Sequence, residues 1–389
     1  MISRLAFFRF AIVLVCCIGF LLLNQNVKQP QYVRNVKYTE PIQIREIFNN
    51  YTPYVTIRDI IKQQDDLTKH NFVNFPFKKR AKLKDYQLSY GGTPLRSIIL
   101  TTWRSGSTFL GDVLNALPGN YYHYEPLLHF GIVRVRGPPL ARSALNTLRK
   151  LLACDYKDLG DYLHYGRSHY NLFTHNHRLW NQCEQYPRFC FNSTFLSEFC
   201  KLFPFQSMKV VRLSLKLGKN LLKYDPNVKI LLLVRDPRGT LQSRKHRDWC
   251  PGIDDCDKPE VLCDDLVEDY HLALKLQALF PDRFRAIRYE DLSLNPYDYV
   301  RNIFKFFGLY LHPDVLQFLD THTKANVGGV SSTFRDSKSA PFHWRYDLNF
   351  SEVEEIQMIC SEAMKLWGYT KAINETHLRE FNPLGWVEF

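Results

Sequence analysis

The chain lacks three features that would each have pointed to a different chemistry. It has no G-x-x-x-x-G-K-[ST] segment, so the lysine and the magnesium-binding hydroxyl of a triphosphate loop are missing, which argues against metal-dependent triphosphate chemistry. None of its 10 cysteines stands in a C-x-x-C pair or at Cys/His ligand spacing, which argues against a zinc site and predicts no bound metal. Negative charge is also short, with 39 acidic residues against 51 basic ones and a formal net charge of +12, so the partners to expect are anionic. No internal repeat is evident.

What the chain does have begins at its front. Residues 5–23, LAFFRFAIVLVCCIGFLLL, are apolar except for Arg9, and about 19 helical residues nearly cross a hydrocarbon core of about 30 Å. Residues 19–25 offer no small-x-small cleavage site, so the run reads as an uncleaved signal-anchor, with a cleaved signal peptide as the alternative. Arg4 and Arg9 precede or open the span, and the positive-inside rule then leaves residues 1–4 in the cytosol and sends the rest into the lumen. Four Asn-x-Ser/Thr sequons, at Asn50, Asn192, Asn349 and Asn374, fit a lumenal body. So do the 8 cysteines outside the anchor, an even number clustered at 183–200 and 250–263, which in an oxidising compartment reads as disulfide-closed loops of open pairing. Lumenal placement in turn argues against nucleic acid as the anionic partner.

Residues 24–92 are polar, with no sustained apolar period beyond a short helix predicted around 42–48, and they end in Lys78, Lys79, Arg80, Lys82 and Lys84. This segment reads as a stem between the anchor and a body at 93–389. In the body, strand-like runs at 97–102, 121–124, 208–213, 229–234 and 284–289 alternate with helical patterns. The expectation is an α/β domain of three layers around a mostly parallel sheet, with ligands at the carboxyl ends of the strands. Residues 133–204 hold helical stretches such as 141–152 and the first cysteine cluster, and read as an insertion.

Two strand-to-helix junctions carry the chemistry. After the first strand, Arg104-Ser105-Gly106-Ser107-Thr108 turns into a helix with Phe109, Leu110, Val113, Leu114 and Leu117 along one face, stopped by Pro118-Gly119. Small residues there let backbone N–H groups approach a phosphate, and the helix N-terminus adds the favourable end of its dipole. At the second junction, ILLLVRDPRGTLQSR, Asp236 is placed to cap a helix and Pro237 to open it, while Arg235 and Ser243 are spaced to grip one phosphate. Two grips on one sheet imply a ligand with two separate phosphate groups.

The pair of junctions resembles the two nucleotide signatures of Golgi carbohydrate sulfotransferases, in the branch acting at the 6-hydroxyl of galactose, N-acetylgalactosamine and N-acetylglucosamine. The likeness extends to YEPLLHF at 124–130, RYEDLSLNP at 288–296, SSTFRDS at 331–337 and the Trp344-Arg345 pair, so it covers about 96–367. Thr108 departs from the Ser more usual at its position, and 138–205 matches nothing in the family, which leaves the acceptor open. The resemblance implies 3′-phosphoadenosine 5′-phosphosulfate as donor, with Arg104, Ser105, Gly106, Ser107 and Thr108 on the 5′-phosphosulfate. Arg235 and Ser243 would then hold the 3′-phosphate, and Arg335 and Ser337 would reach the nucleotide from a late loop. It further implies a glycan acceptor and a single-pass type II Golgi membrane protein with a lumenal catalytic domain, and leaves room for oligomerisation.

For the reaction, Arg104 fits charge stabilisation, since a guanidinium stays charged and can fork onto two oxygens. Glu125 is the expected base, its apolar flank Pro126-Leu127-Leu128 predicting a raised pKa, with His129 as runner-up. Arg212 reads equally as a ligand contact or an ion-pair partner, Trp103 as a packing residue, and Asp291 as a helix cap. The rival readings are an inactive glycan- or nucleotide-binding membrane protein of the same fold and a nucleotide kinase.

Overall fold

A computed structural model of the protein describes residues 55–77, 81–328 and 332–388. The anchor at 5–23, the helix expected at 42–48, the Asn50 sequon and Lys78, Lys79 and Arg80 lie outside the described residues. Among those described, no helix is long and apolar enough to cross a membrane.

Five strands form one sheet: β1 (Leu95–Leu100), β2 (Asn120–Tyr124), β3 (Phe205–Val210), β4 (Val228–Val234) and β5 (Phe284–Arg288), in the order β2-β3-β1-β4-β5. Every pairing is parallel. All five expected strands are present, each within three residues of its predicted start. β4 from Ile230 onward and the second half of β1 read as continuous apolar runs because the sheet is covered on both faces. Successive side chains alternate between the two layers. Ile98, Leu100, Met208, Val210, Ile230 and Leu232 join one core; Ile99, Phe205, Leu231 and Leu233 join the other. That second core is closed by α2 (Ser107–Ala116) and α5 (Pro296–Phe307), through Leu110, Val113, Leu114, Ile303 and Phe304.

Strand order explains where a site can form. The chain leaves β1 toward β2 on one side of the sheet and leaves β4 toward β5 on the other, so the loops after β1 and β4 diverge and open a crevice at the strands' carboxyl ends. Both sequence junctions, at 101–107 and 235–237, fall there. The β4 junction leads into α3 (Pro237–Lys245), with Pro237 at its first turn and the Asp236 carboxylate accepting from Arg238 N at 2.9 Å.

Part of the segment read as a stem at 24–92 packs on the body. Helix α1 (Ile57–Asn71), opened by a Thr56/Asp59 capping box, buries Ile60 in the body. Phe72 and Phe75 then pack on Phe205, with ring centroids 5.9 and 5.6 Å away. The segment looked unstructured because its apolar positions form only a narrow stripe in a mostly polar helix. Residues 133–204 form a helical insertion, held by Cys154–Cys200 and Cys183–Cys190. Cys250–Cys256 closes a short loop after α3, and Cys263–Cys360 ties α4 (Pro259–Leu279) to the C-terminal helices. All eight cysteines read as paired are therefore paired.

Candidate active site

The loop after β1 is pinned at its start by Thr101, whose hydroxyl donates to Leu233 O at 2.6 Å. Arg104 then takes a φ of 67° and Gly106 one of 81°. Only glycine suits the second position, because a Cβ there would stand 2.2 Å from the Tyr289 ring. Gly106 precedes α2 without a capping side chain, so the first N–H groups of that helix face the crevice. The Ser105 hydroxyl is fully buried and has no hydrogen-bond partner among the described residues.

The second junction closes on the first. Arg104 Nε donates to Ser243 Oγ at 3.0 Å, and Arg235 Nη1 donates to Arg104 O at 2.8 Å. Arg235 also lies over the Tyr289 ring at 5.1 Å, and its Nε is buried with no hydrogen-bond partner among the described residues. Burial and the charges of Arg247, Arg235 and Arg335 lower the Arg104 pKa to about 10, which still leaves it charged at neutral pH. Arg235, Arg247 and Arg335 thus add like charge around Arg104, which precedes an uncapped helix N-terminus, an arrangement that repels itself and is relieved by a multiply charged anion. The orphaned Ser105 and Arg235 atoms and the glycine cradle fit phosphate oxygens.

On the other side of α2 the expectation for Glu125 is corrected. Its carboxylate bonds Lys209 Nζ at 2.9 Å and Arg212 Nη1 at 2.5 Å. Burial works against its charge, but Lys209 and Arg212 outweigh that and hold the pKa at about 2 instead of raising it. Glu125 also has a φ of 40°, so the two non-glycine residues strained at this end of the sheet are Arg104 and Glu125. Lys209 reaches past Glu125 to donate to Thr108 Oγ1 at 3.2 Å and lies 3.9 Å over the Tyr124 ring.

His129 packs against Phe130 and Tyr162, and burial lowers its pKa. Arg335 and Ser337 are fixed through backbone N–H bonds to His322 O and Thr323 O at 3.1 and 3.0 Å. Arg335 adds charge near Arg104, whereas Ser337 makes no hydrogen bond to the loop among the described residues. Arg212 is an ion-pair partner of Glu125. Trp103, 4% exposed, packs between Arg212 and Arg244. Asp291 forms a two-oxygen pair with Arg288 and does not cap.

Sequence reading missed Lys209, Arg244 and Arg247. A lysine in the strand-like run MKVVRL at 208–213 was the available signal. Arg244, fully buried, bonds Thr102 Oγ1 at 2.8 Å and so braces the loop from α3.

Residues 94–368 match the family described as the sulfotransferase domain. Over 335 residues the chain is 28% identical to carbohydrate sulfotransferase 5 of Mus musculus, covering 75% of this chain and 85% of the relative. Over 333 residues it is 26% identical to carbohydrate sulfotransferase 6 of Homo sapiens, covering 74% and 84%. A solved mouse sulfotransferase, SULT7A1 complexed with PAP, matches with 9% identity and a TM-score of 0.37, over 69% of this chain and 84% of that one.

Proposed function

The chain belongs to the sulfotransferase domain family, and from that premise we propose that it moves a sulfuryl group from 3′-phosphoadenosine 5′-phosphosulfate to the 6-hydroxyl of a galactose, N-acetylgalactosamine or N-acetylglucosamine residue in a glycan. The observation that carries the donor assignment is the junction of the two loops beside the uncapped start of α2, where Arg104 bonds Ser243 and Arg235 bonds Arg104 O, with Arg247 and Arg335 adding positive charge around Arg104. The relatives named above are carbohydrate sulfotransferases, which supports a sugar acceptor.

Transfer is an in-line displacement: the bond between the acceptor oxygen and sulfur forms while the bond from sulfur to the 5′-phosphate oxygen breaks, and the phosphate leaves with the electron pair. Arg104, Ser105, Ser107, Thr108 and the first N–H groups of α2 hold the phosphosulfate and the charge that grows on its bridging oxygen. Arg235 and Ser243 hold the 3′-phosphate, with Arg335 and Ser337 closing over the nucleotide. Glu125 takes the acceptor's proton. Its pairing with Lys209 and Arg212 makes it a weak base at rest, so its hydrogen bonds must change during turnover. Residues 5–23 would anchor the enzyme in the Golgi membrane with this body in the lumen, a placement supported by four disulfides.

The test is transfer of radiolabelled sulfate by the full-length chain to glycans ending in each of the three sugars. Label at one 6-position, lost in Arg104→Ala, is the expected result. Donor binding without transfer to any sugar would instead indicate an inactive binding protein.

A further inference from the structure

Lys209 touches both halves of the site. It sits on the inner strand β3, its side chain only 1% exposed, and its ammonium is shared between Thr108 Oγ1 at 3.2 Å and Glu125 Oε1 at 2.9 Å. Thr108 lies in the first turn of α2, whose N-terminus faces the crevice, so the ammonium stands one hydrogen bond behind the phosphosulfate cradle. The other carboxylate oxygen of Glu125 stays with Arg212, which is itself fixed to Gly131 O. Glu125 N donates to Lys209 O at 3.1 Å, so backbone and side chain join the same two residues.

Resting on the function above, we propose that Lys209 couples donor binding to the base: when the phosphosulfate enters the loop, the ammonium shifts its hydrogen bond from Glu125 Oε1 to a donor oxygen. Arg212 keeps the carboxylate in place while Oε1 becomes available. As the acceptor oxygen bonds sulfur and the phosphate leaves, the acceptor's proton passes to Oε1. A carboxylate clamped by two cations holds a proton poorly, and releasing one clamp improves its hold, so the base is ready only when the donor is bound. The exchange is favourable on charge, because the phosphosulfate brings more negative charge than the carboxylate it displaces. It also explains a lysine here and not an arginine: an ammonium is a point charge with rotatable donors, whereas a guanidinium holds a fixed fork.

The proposal makes Lys209 a competitor for which donor and Glu125 contend, and two variants of the full-length chain test it. In Glu125→Gln the lysine is no longer held by charge, so binding of 3′-phosphoadenosine 5′-phosphosulfate, measured by calorimetry without acceptor, should tighten about 5- to 10-fold while turnover is lost. In Lys209→Met, donor affinity should fall less than kcat, and the acid limb of kcat/KM for the acceptor should move to higher pH. The groups facing the Glu125–Lys209 pair are Arg212 after β3, Tyr122 and Tyr124 on β2 and Asp112 on α2. Burial raises the pKa of both tyrosines, which keeps them out of that limb. Unchanged or weaker donor binding in Glu125→Gln, with the wild type transferring sulfate, would overturn the coupling and leave the function standing. Tighter binding in Glu125→Gln, with a wild type that transfers nothing, would overturn the function and leave the exchange standing. An unmoved acid limb in a folded Lys209→Met would reduce Lys209 to a structural role.

Discussion

Arg104 carries its charge in a backbone conformation with φ at 67°, beside a glycine that the Tyr289 ring leaves no room to replace. That conformation places its guanidinium against Ser243 on α3, where Nε donates to Oγ at 3.0 Å. Arg104→Ala should therefore cost about 10²- to 10³-fold in kcat. Arg104→Lys should recover less than a tenth of the loss, because a lysine cannot both bond Ser243 and fork onto donor oxygens. Steady-state rates on the folded variants check both. His123 gives a residue-scale prediction about stability. It is 2% exposed on β2, its Nε2 has no hydrogen-bond partner among the described residues, and burial lowers its pKa to about 3. The unfolded chain binds a proton there from about pH 6.5 downward while the folded chain does not, so the wild type should lose about 1.4 kcal/mol per pH unit between pH 6.5 and 3 from this group. Denaturant unfolding of His123→Phe should show that slope removed.

Among the elements, the strands were legible and α1 was not. The runs at 98–100 and 230–234 announce buried strands because both faces are covered, and the Asp236-Pro237 pair announces α3 through capping chemistry that is local in sequence. With Ser243 following within α3, the places of Arg104 and Arg235 at strand-to-helix junctions were legible for the same reason. The state of Glu125 was not. Its partners lie 84 and 87 residues away, brought beside it by the pairing of β2 with β3, and its apolar sequence neighbours suggested the opposite shift. Helix α1 was lost in a polar segment because its buried face is narrow. A chain begun at residue 90 would omit Ile60 and the Phe72 cluster, so it should be less stable than one begun at 55, by several kcal/mol on the scale of about 1.5–3 kcal/mol for each large apolar side chain. Comparative thermal unfolding of the two fragments checks this. The sequons have a second role at this scale: Asn192, Asn349 and Asn374 are exposed, and each caps a helix with its side-chain oxygen. Asn349→Gln should cost about 1 kcal/mol for the lost cap, whereas Ser351→Ala removes the same sequon and keeps the cap. Unfolding of the two variants made without glycans separates these effects.

For the molecule as a whole, the sheet brings one loop from each side of the strand-order reversal to a single crevice, and the helical insertion at 133–204 lies next to Glu125 in the chain. The residues proposed for the donor stand at strand ends with a readable local code, whereas the insertion and the disulfide-closed loop at 250–256 carry no such code, which is why the sequence does not name the proposed acceptor sugar. An excess of 12 positive charges suits both an anionic nucleotide and a glycan that becomes anionic as sulfate accumulates. The measurement that bears most directly on this account is sulfate transfer from radiolabelled 3′-phosphoadenosine 5′-phosphosulfate by the full-length chain, with Arg104→Ala run in parallel. Label on the 6-hydroxyl of a terminal galactose, N-acetylgalactosamine or N-acetylglucosamine, reduced about 10²-fold or more in the variant, is the predicted result. A wild-type chain that neither transfers label to any of the three nor binds the donor would contradict it.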